Sequence, residues 1–189
     1  PCALGIRILP VGFPIWKPAR LTAYYEATHL EKFGLYKWED LKLHTIPQDF
    51  ADMQGWKEMT EKTAKAYNLL NAEEKKHAII FADNYGQAGA INYYGKAYDL
   101  PAAYSDNASF LYWLPDSLHL DNVIMITDDK EEMQHPFIKN FSSAVLNDSI
   151  TNQYARENGS LIITLKGANE KMNQMFIEKI KKDKAKFKY

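Results

Sequence analysis

Apolar and polar positions alternate between a helical and a strand rhythm along the chain. Pro18 suits a first helical turn, where its missing N–H costs nothing, and Leu21, Tyr24, Tyr25 and Thr28 continue one helical face. From Leu30 to Gln54 the pattern is irregular, with Pro47 and scattered aromatics. Trp56, Met59, Thr63, Tyr67 and Leu70 recur every three or four residues and predict an amphipathic helix. Asn71 with Glu74 three positions on reads as a capping box that opens a short helix. A strand is predicted at Ala78–Ala82, a helix at Gln87–Tyr94 and a short strand at Ala102–Ser105. Further strands follow at Asn122–Thr127, Phe141–Leu146 and Leu161–Leu165, with a helical turn near Lys130–Gln134 between the first two. Met172, Phe176 and Ile180 mark the apolar face of a last helix.

Near-continuous apolar strands need cover on both faces, as in mainly parallel sheets. Strands alternating with helical segments then give an α/β fold. The expected architecture is a three-layer Rossmann-like sandwich with a mainly parallel sheet. At 189 residues the chain is long enough for one full core. The expected organisation is a membrane-proximal segment over residues 1–17 and a single soluble α/β domain over 18–189.

The polar positions matter once the strands are set side by side. Asp83, Asn84 and Tyr85 follow the first strand, and Ser105, Asp106 and Asn107 follow the second. Asp128 and Asp129 follow the third, and Asn147 and Asp148 the fourth. Parallel strands would gather these groups on one edge as a rim suited to hydroxyl-rich ligands or a hard divalent cation. Turns favour Asp, Asn and Ser in any case, so most of these pairs are explained by turn chemistry alone. The turn at Asp83–Gln87 differs because a helix N-terminus follows it, with the small residues Ala88, Gly89 and Ala90.

Composition narrows the field further. A net charge of −1 gives no reason to expect nucleic acid. The single cysteine, Cys2, excludes a disulfide framework and a cysteine-based zinc site. His29, His44, His77, His119 and His135 show no HxH, HExxH or HxxxH spacing, which argues against a zinc site. No nucleophile elbow, phosphate loop or dinucleotide fingerprint is present. The apolar run Ala3–Trp16 is shorter than the ~18 residues of a membrane span and is interrupted by Arg7, Pro10 and Pro14. Residues 169–189 carry seven lysines, which read as a solvated helix face or as a contact for anionic headgroups. Asn-x-Ser/Thr triplets at Asn107, Asn140, Asn147 and Asn158 fit an Asn- and Ser-rich composition.

Three segments together resemble one family. Pro10–Tyr24 (PVGFPIWKPARLTAY) is similar to a junction that follows a last transmembrane helix. Pro47–Trp56 (PQDFADMQGW) resembles a PQ-x-[FY]-AD-x-x-GW segment through Pro47, Gln48, Ala51, Asp52, Gly55 and Trp56. Phe81–Pro101 (FADNYGQAGAINYYGKAYDLP) resembles an NYGEAGA…YG…Y-x-LP segment. The matching residues there are Asn84, Tyr85, Gly86, Ala88, Gly89, Ala90, Tyr94 and Gly95. Glu157 stands before the Leu161–Leu165 strand, where such proteins usually carry a glutamate. The family is bacterial glycosyltransferase family 39, the dolichyl-phosphate-mannose–protein mannosyltransferase-like membrane proteins, and the similar part is their soluble C-terminal domain. Two departures stand out. Gln87 replaces the usual glutamate and removes a charge, and Ser105–Phe110 (SDNASF) is only loosely similar to a GHNSY-like segment.

The resemblance implies an accessory domain of a membrane-embedded glycosyltransferase using a polyprenyl-phosphate-linked sugar. It implies a place on the extracytoplasmic (periplasmic) side of the cell membrane, helping to bind or orient the donor head or the acceptor. The catalytic group would lie in a loop between transmembrane helices, so no catalytic or metal-ligating residue is assigned here. No cofactor is expected, and a divalent cation stays open for a full-length protein. The partners implied are a transmembrane domain of the same protein, a lipid-linked sugar, and a glycan, lipid or protein acceptor. Candidate ligand-binding residues are Asn84, Tyr85, Gly86, Gln87, Asp52, Trp56, Asp106, Asn107 and Glu157. The alternative is a free-standing soluble α/β protein that binds carbohydrate or nucleotide, or a small-molecule transferase working from the same rim.

Overall fold

A computed structural model describes residues 9–116 and 118–186 of the chain. Cys2 and the first part of the Ala3–Trp16 run lie outside the described residues. The chain divides into two compact units, Pro1–Gly55 with Asn152–Asn158, and Trp56–Thr151 with Gly159–Tyr189. Residues 18–55, grouped by the sequence reading with the α/β body, fall in the first unit. No helix among the described residues is long and apolar enough to cross a membrane.

In the first unit, α1 (Pro18–Thr28) starts on Pro18 as expected. Its Leu21 and Tyr25 pack with Ile46, Phe50 and Ala51, the last two from the short helix α2 (Gln48–Ala51). Trp38 stacks on His44 with ring centroids 3.6 Å apart and donates its indole N–H to the Ile46 carbonyl at 2.8 Å. Burial, with Tyr36 and Tyr24 beside it, pushes the Tyr25 hydroxyl up to about 12.

The second unit is α/β. It contains α3 (Trp56–Asn68), α4 (Ala72–Lys76), β1 (Ala78–Ala82) and α5 (Tyr85–Tyr94). After these come β2 (Ala103–Tyr104), β3 (Asn122–Thr127), β4 (Phe141–Ser149), β5 (Leu161–Ala168) and α6 (Glu170–Lys186). The Asn71 capping box forms in full: Glu73 and Glu74 N–H groups donate to its side chain, and its own N–H donates to Glu74 Oε2 at 2.8 Å.

The sheet order is β2-β1-β3-β5-β4. β1 runs parallel to β2 and β3, whereas β5 runs antiparallel to both β3 and β4. The expected mainly parallel Rossmann-like sheet is therefore corrected to a mixed five-stranded sheet. The cause lies in the connection from β4 to β5. Parallel neighbours need a crossover of about a dozen residues or more, usually a helix. Residues 150–160 contain no helix, and Ile150 exchanges backbone hydrogen bonds with Gly159 and Ser160 that close the base of that loop. The returning strand can only pair antiparallel.

Apolar side chains on both faces of the strands reflect cover from both sides. Ile80, Ala82, Ile124 and Ile126 pack with Met59, Ala66, Ala88 and Ile91 of α3 and α5. Phe81, Val123 and Met125 point the other way, into the cluster that holds Phe176 and Ile180 of α6. Two side-chain amides fix what these contacts leave loose. Asn92 on α5 accepts from the Ala103 N–H at 2.7 Å and donates to its carbonyl at 3.0 Å, which anchors the two-residue edge strand β2. Asn173 on α6 clamps Leu120, just before β3, in the same way. The other edge strand, β4, carries half-exposed Val145 and Leu146 and breaks register between Leu146 and Asp148, an irregularity that disfavours pairing with another chain.

Candidate functional site

Because β4 runs in the same direction as β1, β2 and β3, the carboxyl ends of all four strands share one edge of the sheet, together with the amino end of β5. The predicted rim therefore exists, but its members divide into those with structural work and those that face a cavity. Asn84 is the N-cap of α5, its side-chain oxygen accepting the Gln87 N–H at 2.9 Å. Gly86 lies close under Asn84 and the Trp56 ring; a Cβ there would come 3.2 Å from Asn84 Oδ1 and 3.3 Å from the ring. Gln87 is fully buried, and Tyr85 is exposed on the first turn. Asn107 is exposed and its N–H donates to Ser105 Oγ. Asn147 and Asp148 lie inside β4 rather than beyond it. Asn147 accepts from the Thr164 hydroxyl at 2.6 Å, and Asp148 pairs with Lys62 at 3.1 Å.

Asp52 and Glu157 belong to the first unit, whereas Trp56, the 84–87 turn, Asp106 and Asn107 belong to the second. In the first unit Arg156 stands 3.4 Å from both Asp52 and Glu39, and its N–H donates to the Ala51 carbonyl. Glu157 beside it is buried. The Asp52 carboxylate thus holds the Asn152–Asn158 segment to α2 within that unit.

Two rim groups, Asp83 and Asp106, open onto a cavity of about 430 Å³ on the α6 face of the sheet, whereas Asp128 and Asp129 do not line it. Its wall is apolar: Phe81, Val123 and Met125 from the strands, Phe141 from β4, Met172 and Phe176 from α6. Its polar end is made by Asp83 after β1, Asp106 after β2, Glu132 after β3 and Lys179 on α6. Lys179 pairs with Asp106 and reaches Asp183 at 3.2 Å. Buried Thr127 ends β3 between two carboxyls. Its hydroxyl accepts from the Asp129 N–H at 3.1 Å, lies 3.4 Å from Glu132 Oε2 and also bonds Asp83. One hydroxyl proton cannot serve both carboxylates at once. Burial pushes the Asp83 carboxyl up despite Thr127, and Asp128 and Asp106 add to the shift. Burial also raises Glu132, with Asp83 as the next cause.

Comparison of the chain with models of known protein families, with curated proteins and with solved structures gives no match.

The geometry of the cavity suits a small molecule. A volume of a few hundred Å³ with apolar walls and a few convergent polar groups is the usual form of a small-molecule site. The sequence places Asp83 and Asp106 on the rim, with Asp106 among the candidate ligand residues, but does not single out Glu132, Lys179 or the aromatic and methionine wall. The Met172/Phe176 stripe was legible as a buried face, and Met172, Met175 and Lys179 share that side of α6 at steps of three and four. The helical turn near Lys130–Gln134 was legible and holds Glu132, on a 3-10 turn over Glu132–Gln134, but nothing in the pattern marked that glutamate as facing the cavity. Asp129, Glu132 and His135 each place one ligand atom within 4.8 Å of the others. Two carboxylates and an imidazole can take a transition metal, and the His135–Asp129 pair, 2.9 Å apart, ties two of them to each other.

The raised carboxyls give a pH prediction. A carboxyl whose folded value lies above its ordinary one stabilises the fold below the ordinary range and loses that contribution as pH rises through the folded value. Glu132→Gln keeps the neutral shape without the charge. It is expected to match the parent near about pH 4 and to exceed it by about 1 kcal/mol near about pH 8. Urea denaturation at both pH values checks this, and a variant no more stable at the higher pH would contradict it.

Proposed function

We propose that this chain is a ligand-binding, non-catalytic domain of a membrane-embedded glycosyltransferase, on the extracytoplasmic side of the cell membrane, whose donor is a polyprenyl-phosphate-linked sugar. The observation that carries the reading is the cavity on the α6 side of the sheet, where an apolar wall meets carboxyls from the ends of three parallel strands. Sugar hydroxyls donate well to carboxylates, and an apolar wall suits the hydrocarbon part of a lipid-linked or lipid-like ligand. The resemblance of the Pro47–Trp56 and Phe81–Pro101 segments to family 39 glycosyltransferases supports the same reading. Trp56 and Gly86, which come from those two segments, are packed on each other.

One observation favours a second reading, a free-standing small-molecule transferase. The carboxyls Asp83 and Glu132 share Thr127 and are raised by burial, as acid–base groups often are. An immunoblot of fractionated source cells with an antibody to this chain separates the two. A single much larger band in the membrane fraction is the expected result. A soluble band near the mass of this chain would reject the membrane reading in favour of the second.

A further inference from the structure

The charges at the polar end of the cavity discriminate between the two kinds of ligand that a glycosyltransferase handles. A polyprenyl-phosphate donor carries its negative charge at the junction of lipid and sugar, where such a ligand would pass from the apolar wall to the carboxyl end. Asp83, Asp106 and Glu132 face this end from the ends of three strands or the turns after them. Among the described residues the ammonium group that lines this end, Lys179, is already shared by Asp106 and Asp183, and Asp183 is held from its other side by Lys186 at 2.6 Å. A phosphate placed here would meet three carboxyls, with Lys179 engaged by Asp106 and Asp183 and His135 already acting on Glu132, and like charges repel. A group that donates hydrogen bonds without negative charge meets the opposite situation. Asp83 and Glu132 both approach the Thr127 hydroxyl, Asp83 also accepts the Asp128 N–H, and carboxyl oxygens have room for further donors. The wall offers Phe81, Phe137, Phe141 and Phe176 with Met125 and Met172, side chains that accommodate an aliphatic tail of variable shape.

We infer that the cavity binds an amphiphile with an uncharged, hydroxyl-bearing head on an aliphatic tail and rejects the phosphorylated counterpart, so that it serves the acceptor rather than the donor. The inference rests on the reading of this cavity as a ligand site and specifies the ligand's class.

The chain carries its own reporters. Of its six methionines, Met125, Met172 and Met175 line the cavity, and Met53, Met59 and Met133 do not. Methyl-labelled methionine NMR of the purified chain, titrated below micelle-forming concentrations, compares octyl β-glucoside with octyl phosphate. The glucoside is expected to shift the three cavity methyls and leave the other three in place, with octyl phosphate at least about tenfold weaker. The Asp83→Asn/Glu132→Gln variant is expected to narrow that gap to about threefold or less by strengthening the phosphate, since it removes charge but keeps shape. Octyl phosphate binding as tightly as the glucoside would overturn the inference. Shifts spread over all six methyls, or none with either probe, would overturn it as well. The immunoblot reads membrane placement separately, so a chain that rejects both probes but runs in a large membrane protein would sink only the acceptor assignment.

Discussion

Asn173→Ala is expected to lower the stability of the second unit by about 3 kcal/mol, the cost of leaving two buried polar groups without partners. Asn173 is 2% exposed on α6 and accepts the Leu120 N–H at 2.7 Å while donating to the Leu120 carbonyl at 2.9 Å. Leu120 is itself buried and lines the cavity, so the amide is what its backbone groups pair with. For a chain of this length the loss corresponds to a fall of about 10 °C in melting temperature. Asn173→Leu separates the two contributions, because it fills the volume without restoring either hydrogen bond and is expected to be nearly as harmful. Thermal unfolding followed by circular dichroism checks both. If Asn173→Leu melts with the parent, the side chain is packing rather than clamping. The same clamp joins α6 to the start of β3, so its loss is also expected to disorder the wall that Met172, Phe176 and Leu120 give the cavity.

Gly167→Ala is expected to cost about 2 kcal/mol for a different reason. Gly167 lies near the end of β5 with φ of +64°, a left-handed conformation that L side chains rarely adopt. A Cβ there would lie 2.3 Å from Ser142 Oγ and 3.2 Å from Ser142 Cβ. The hydroxyl cannot turn away freely, since it donates to the Lys166 carbonyl at 2.8 Å. In a Ser142→Ala background the clash with the hydroxyl disappears, leaving the backbone strain and the 3.2 Å approach to the Cβ of residue 142. The alanine at 167 is therefore expected to cost about half as much in that background. Urea denaturation of the four proteins of the cycle measures this, and equal costs in the two backgrounds would assign the whole effect to the backbone.

Much of the local structure was legible because it depends on near neighbours in sequence. The capping box at Asn71, the amphipathic face from Trp56 to Leu70 and the apolar strands at Ala78–Ala82 and Asn122–Thr127 all match their expected places. Boundaries slipped where a later contact extended an element. β4 runs on to Ser149 because β5 pairs with it as far as Leu161, which turns Asn147 and Asp148 from rim groups into strand residues. Asn84 looked like a ligand group because asparagine after a strand suits either purpose. The spacing to the Gln87 N–H, which gives it to the helix cap, becomes visible only once the helix is known to start at Tyr85.

The sequence by itself determined the α/β class and the presence of acidic and amide groups after most of the strands, since hydrophobic period and turn chemistry are properties of short segments. It also indicated the two segments that carry Trp56 and Gly86. Only the tertiary structure decided the strand order, because the direction of β5 depends on how residues 150–160 close, which no periodicity records. That order places Asp83, Asp106 and Glu132 around one cavity and brings Lys179, 73 positions beyond Asp106 in the chain, into contact with it. Charge complementarity at a site is a sum over residues distant in sequence. The inferred preference of this cavity for an uncharged head over a phosphate therefore rests on the assembled fold, and no single motif contains it.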